Sequence, residues 1–79
     1  MQTYEQFFGA LGQRVREVRK RRDLSQEDMI GLGFSARHWQ QIERGRPITL
    51  TTLLRISDAL KVSPEFLISR LHQQEAKRG

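Results

Sequence analysis

What most restricts the fold of this chain is the spacing of its helix-start signals: Ser25, Ser35, Thr49 and Ser63 each precede a stretch of helical apolar periodicity. A hydroxyl at the N-cap accepts from an amide that the first helical turn leaves unpaired, so these residues mark where helices begin. Helices begun this close together are short, and short helices persist only by burying one face against their neighbours. No segment shows the strict alternation of a half-buried strand, so the expected class is all-α.

Ahead of the first of these caps, Tyr4 to Arg22 contains no proline, and Tyr4, Phe8, Leu11, Val15 and Val18 recur at helical intervals as the inner face of a first helix. Its other face carries Arg14, Arg16, Arg19, Lys20, Arg21 and Arg22, each either a solvated cation or an anion contact, and the last of them suit the negative end of the helix dipole. Ser25, with Asp28 at the capping-box position, opens a short second helix whose apolar side is Met29, Ile30 and Leu32 and whose end is bracketed by Gly31 and Gly33. Ser35, preceded by Phe34, caps a third helix from about Ala36 to Arg44, stopped by Gly45. Trp39 and Ile42 face inward there, while Ala36, Arg37, Gln40, Gln41 and Arg44 face outward. Thr49 begins a fourth helix with Leu50, Leu53, Leu54, Ile56, Ala59 and Leu60 as a broad buried stripe. Ser63-Pro64-Glu65 announces a fifth helix through about His72. Residues 73–79 lack an apolar anchor and are expected to fray, which leaves one compact five-helix domain over 1–79.

The absence of cysteine excludes disulfides and thiolate zinc sites, and His38 and His72 lie far apart with no carboxylate at ligand spacing. No metal and no cofactor are therefore expected. No carboxylate pair, Ser/His/Asp set or phosphate-cradling glycine loop stands at workable spacing, so the chain is not read as an enzyme. The 14 Lys and Arg outnumber the 9 Asp and Glu, a net charge of +5 that suits a polyanion, either nucleic acid or an anionic membrane surface. Against the membrane, the most apolar stretch, Met29 to Phe34, is far shorter than the ~18 residues a span requires. The start of the chain lacks the basic and apolar regions of a secretion signal, so a cytoplasmic location is expected.

Leu24-Ser25-Gln26-Glu27, then Gly33-Phe34-Ser35, then Ile42-Glu43-Arg44-Gly45-Arg46 closely resembles the phage repressor and Cro-like (XRE-like) helix-turn-helix family. The likeness continues from Leu50 to Leu67, where Thr-Leu-x-x-Leu and Leu-x-Val-Ser-Pro-x-x-Leu resemble that family's fourth and fifth helices, so Leu11 to Leu67 is covered. One departure is visible: from Gln26 to Gly33 the chain is a residue shorter than the family usually has, with Gly31 inside the shortened helix. The resemblance implies a lambda-repressor-like fold, helices two and three as the helix-turn-helix, and double-stranded DNA as partner. The third helix would then enter the major groove. Arg pairs there with guanine O6 and N7 and Gln with adenine N6 and N7, which makes Arg37, Gln40 and Gln41 base-reading candidates. Ala36, at a position near the helix start, offers a thymine-methyl contact. Gln26, Arg44, Arg46 and, from its matching place in the first helix, Arg19 are the phosphate candidates implied by the likeness. Ser35 is read as a cap, Trp39 as core in preference to a stacking platform, Glu43 as partner of a first-helix arginine, and His38 as either a packing or a groove residue.

A domain this small commonly leans on a partner subunit, and a twofold dimer reads two half-sites about 34–36 Å apart. Phe66, Leu67, Ile68 and Leu71 exceed what one face of the fifth helix buries, so Ile68 and Leu71 are either dimer candidates or packed within their own protomer. Tyr4, Phe7 and Phe8 form a second surplus patch, with Phe7 as its interface candidate or the whole patch folded over its own core. The expected function is a sequence-specific, homodimeric transcription regulator on a palindromic operator, with a restriction-modification controller preferred over a phage-type repressor. An antitoxin or a protein-interaction adaptor on the same fold is the alternative.

Overall fold

The computed structural model describes residues 3–71, and among them the backbone forms five helices and no strand. These are α1 (Tyr4–Arg21), α2 (Gln26–Gly31), α3 (Ala36–Glu43), α4 (Leu50–Leu60) and α5 (Pro64–Ile68). Each start is capped as the sequence predicts: Ser25, Ser35, Thr49 and Ser63 accept from the amides of Asp28, His38, Thr52 and Phe66. Thr3 does the same for α1, and both Thr3 and Ser25 complete reciprocal capping boxes. The Ser25 amide, and then its hydroxyl, hold the Asp28 carboxyl below its ordinary range. Folding thus favours the carboxylate; its stabilising contribution is present above the ordinary carboxylate pKa and is lost as pH falls through the depressed value.

The short α2 ends at Gly31, and the turn into α3 passes through Gly33 at φ 108°, a conformation that side-chain-bearing residues rarely adopt. That turn sets α2 against α3, and α1 packs across α3, α4 and α5. One core results, built from Leu11, Val15 and Val18 of α1, Met29 and Phe34 around the turn, Trp39 and Ile42 of α3, and Leu53, Ile56, Leu60, Leu67 and Leu71 beyond. Phe34 meets Trp39 edge-on at 4.9 Å between ring centroids, an arrangement that suits the aromatic quadrupole.

The structure corrects several apolar assignments. Tyr4 is 86% exposed because the first turn of α1 overhangs the core; Phe7 and Phe8 are half-buried and Leu11 is fully inside. In α4 the inner stripe is Leu53, Ile56 and Leu60, while Leu50 (77% exposed) and Leu54 lie together on the solvent flank at i, i+4 spacing. Only Met29 of α2 is buried, and Ile30 and Leu32 face outward because a helix of this length has room for little more than one inward position. α5 stops at Ile68, since Ser69 turns extended and Arg70 takes φ 59°. Leu71 then folds back into the core. His72 and the tail 73–79 lie outside the described residues.

Between α1 and α3 the contact is backbone on backbone. A Cβ placed on Gly12 of α1 would lie 2.6 Å from the Ile42 carbonyl oxygen and 2.9 Å from that of Glu43, so α1 touches the C-terminal end of α3 directly. Gly45 meets α1 one turn earlier, where its own Cβ would come within 2.7 Å of Gly9 Cα. Gly12→Ala is expected to force α1 and α3 apart and to cost about 1–3 kcal/mol in urea denaturation. Gly9→Ala, whose Cβ meets nothing within 4 Å, is expected to stabilise by about 0.5–1 kcal/mol through helix propensity in the same experiment.

Candidate nucleic-acid interface

The helical phase of α3 divides it cleanly. Trp39 is 0% exposed and Ile42 is buried, and the opposite side presents Ala36, Arg37, Gln40 and Arg44 to solvent. Gln41 and His38 are half-buried on the flanks, and Arg46 is exposed in the loop beyond Gly45. Ser35 is a cap, its hydroxyl accepting from the His38 amide at 3.0 Å. The side chains of Arg37, Gln40, Arg44 and Arg46 make no hydrogen bond or ion pair among the described residues, so their donors all remain available to an outside partner.

The inner side of the same helix is held by one carboxylate. Glu43 Oε2 accepts from Arg19 Nε and from Trp39 Nε1, both at 2.6 Å, and its Oε1 accepts from Arg19 at 3.2 Å and from Gln26 Nε2 at 3.4 Å. Arg19 gives a further bond to the Leu24 carbonyl at 2.8 Å. The arrangement ties α1, the start of α2 and the C-terminal turn of α3 to a single point. The paired side chains retain only 8% and 6% of their exposure, and no buried polar side-chain atom among the described residues lacks a partner. The sequence expectation that Glu43 pairs with a first-helix arginine holds, and the arginine is Arg19. Its expected phosphate role is corrected for the same reason, because its guanidinium is buried behind α3, with each of its three nitrogens already bonded to Glu43 or to the Leu24 carbonyl.

The other first-helix cations separate as well. Arg14 donates to the carbonyls of Phe66 and Ser69 at 2.7 and 2.9 Å and so fastens α5, while Arg22 donates to the Lys61 carbonyl at 3.0 Å. Arg16 is different: it shares a shallow recess with Gln26, Gln40, Glu43 and Arg44, on the outward side of the helix pair. The sequence places Arg16 among the first-helix cations as a solvated cation or an anion contact without setting it apart from its neighbours; the burial of Arg19 is what separates it. Of the expected interface residues, the recess unites Gln26, Gln40 and Arg44; Ala36 and Arg37 extend the same surface one turn earlier on α3. Gln41 and Arg46 do not line the recess.

The expected dimer residues also divide. Phe7 and Ile68 line one apolar cleft together with Phe8, Leu50 and Leu53, and Ile68 is 39% exposed. Leu71, at 1% exposure, takes the intramolecular alternative and not the dimer one: its side chain fills the protomer's own core.

Five helices around one core, with a glycine-turned pair presenting an unpaired polar and cationic face, define an all-helical helix-turn-helix module. The chain belongs to the helix-turn-helix domain family, whose model matches residues 10–67, consistent with the resemblance to phage repressor and Cro-like proteins. Neither the comparison with curated proteins nor that with solved structures gave a match. Among the described residues no group of His, Asp or Glu is arranged to hold a metal, and no helix is long and apolar enough to cross a membrane.

Removing the carboxylate tests its part in this architecture. Glu43→Ala leaves a buried guanidinium unpaired and is expected to cost about 3–5 kcal/mol in equilibrium unfolding, whereas Arg19→Met combined with Glu43→Leu is expected to recover part of that loss, the buried Trp39 indole N–H still lacking its acceptor.

Proposed function

We propose that this protein is a sequence-specific double-stranded DNA-binding transcription regulator that acts as a homodimer on a palindromic operator. The observation that carries the reading is the split of α3: a fully buried Trp39 behind, and in front Arg37, Gln40 and Arg44 with no partner in the described protein. Free donors on a rigid helix face match the major groove, where base edges supply acceptors in a sequence-dependent order. In this reading Arg37 and Gln40 read bases, Ala36 packs on a thymine methyl, and Gln41 reaches a base only from the flank. Gln26, Arg44, Arg46 and Arg16 grip phosphates on either side.

The homodimer is supported by the apolar cleft between the start of α1, the start of α4 and the end of α5. Phe7, Leu50 and Ile68 present more apolar surface there than the protomer covers. A twofold contact across it would set two copies of α3 against successive major grooves of one DNA face.

Binding selection on random duplexes, followed by titration at several salt concentrations, tests the DNA reading. Arg37→Ala is expected to relax preference at one base pair by about 1–3 kcal/mol, while Arg44→Ala and Arg16→Ala weaken all sequences alike and each lower the salt slope by about one unit. Equal losses on every duplex for Arg37→Ala and Arg44→Ala would remove the base-reading role. Ile68→Glu is expected to convert dimers to monomers in sedimentation velocity; an unchanged dimer would move the interface away from the cleft.

A further inference from the structure

On a different face, between the turn that joins α2 to α3 and the C-terminal half of α4, lies an open groove of about 580 Å³. It shares no residue with the recess beside α3. Its floor is apolar, formed by Leu24, Leu32 and Phe34, with Leu32 53% exposed at the end of α2. Three cations stand along it: Arg22, Arg55 and Lys61. The lining also includes one carboxylate, Asp58, which forms no ion pair with any of them; the Arg19–Glu43 pair is the one ion pair among the described residues.

Two of these cations are already held in place. The Arg55 guanidinium lies 4.6 Å over the Phe34 ring centroid and donates to the Gly33 carbonyl at 3.0 Å. Arg22 donates to the Lys61 backbone carbonyl at 3.0 Å, which fixes the Arg22 guanidinium at the end of the groove that Lys61 also lines. Long flexible side chains ordinarily lose rotamer freedom when they bind, and prior fixing reduces that loss. A fixed cationic rim around an exposed leucine calls for an occupant that carries both carboxylates and apolar side chains.

We propose that this groove docks an acidic, leucine-bearing segment of a partner protein, independently of DNA. Charge complementarity selects this occupant over the others. A second copy of this chain would bring a net charge of +5 against cations. A nucleic acid backbone would satisfy the rim but leave the apolar floor without a counterpart. An amphipathic acidic segment meets both, laying its apolar side on Leu32 while its carboxylates reach Arg55 and the Arg22–Lys61 end.

The test uses the full chain as bait for a random peptide library displayed on phage, followed by fluorescence anisotropy with the enriched peptide. Selection is expected to enrich peptides that combine Asp or Glu with Leu, Ile or Phe. The variant Arg55→Glu with Lys61→Glu is expected to weaken the enriched peptide at least about tenfold. The charge-matched variant Arg16→Glu with Arg44→Glu is expected to leave peptide binding unchanged while abolishing DNA binding, and saturating duplex DNA is expected not to displace the peptide. Circular dichroism establishes that both variants are folded. Absence of acidic-apolar enrichment, equal losses in the two variants, or displacement by duplex would overturn the proposal, the last making nucleic acid the occupant. A groove variant that loses self-association instead of peptide binding would make a second copy the occupant. Duplex affinity is read separately, so failure here leaves the DNA reading standing.

Discussion

The position of α3 depends on one buried carboxylate. An ionised group removed from water is costly unless nearby donors replace its hydration, and Glu43 receives them from Arg19 of α1, Gln26 of α2 and Trp39 of its own helix. No apolar contact could substitute with the same directionality, because each of these bonds requires a particular distance and angle. The pair's net contribution to stability can be small; its geometric effect is to favour one arrangement of three helices over its neighbours. Immediately beside it, Gly12 lets the backbone of α1 rest on the carbonyls of Ile42 and Glu43. Polar and steric constraints thus act on the same turn of α3, from behind.

The arginines show how one residue type takes opposite parts. Arg19 is buried on a carboxylate; Arg14, Arg22 and Arg55 reach across to backbone carbonyls of other segments and act as clamps. Arg16, Arg37, Arg44 and Arg46 make none of these bonds. Part of the positive charge is thus used in holding the fold together, and only the remainder is free of internal partners. A guanidinium's planar fork of donors permits both uses, where a lysine ammonium would clamp two carbonyls less well.

Much of this was legible in the sequence wherever the determining physics is local. N-caps at Ser25, Ser35, Thr49 and Ser63 are decided within four residues, and the inward phase of Trp39 and Ile42 follows from helical spacing alone. The pairing of Glu43 with a first-helix arginine was legible in kind, but its partner was not, since which of several neighbouring cations turns inward depends on how α1 crosses α3. For the same reason Arg19 was singled out from a run of cations in which Arg16 is the one that lines the recess. Leu50 and Leu54 were misassigned, and Leu71 was left open, because an apolar residue in sequence does not say whether a neighbouring element covers it; Leu71 became core only through the turn at Ser69 and Arg70. The Gly12 contact carried no local signal at all, for a glycine inside a helix reads as a propensity defect until the crossing helix is known.

The division of α3 into an anchored back and an unengaged front has an evolutionary corollary. The side chains of residues 36, 37 and 40 carry no part of the fold's internal bonding, so on the proposed reading exchanging them would change what the helix recognises without disturbing how the domain holds together. Descendants of such a chain could acquire new targets by drift at a few codons, each intermediate remaining as sturdy as its parent.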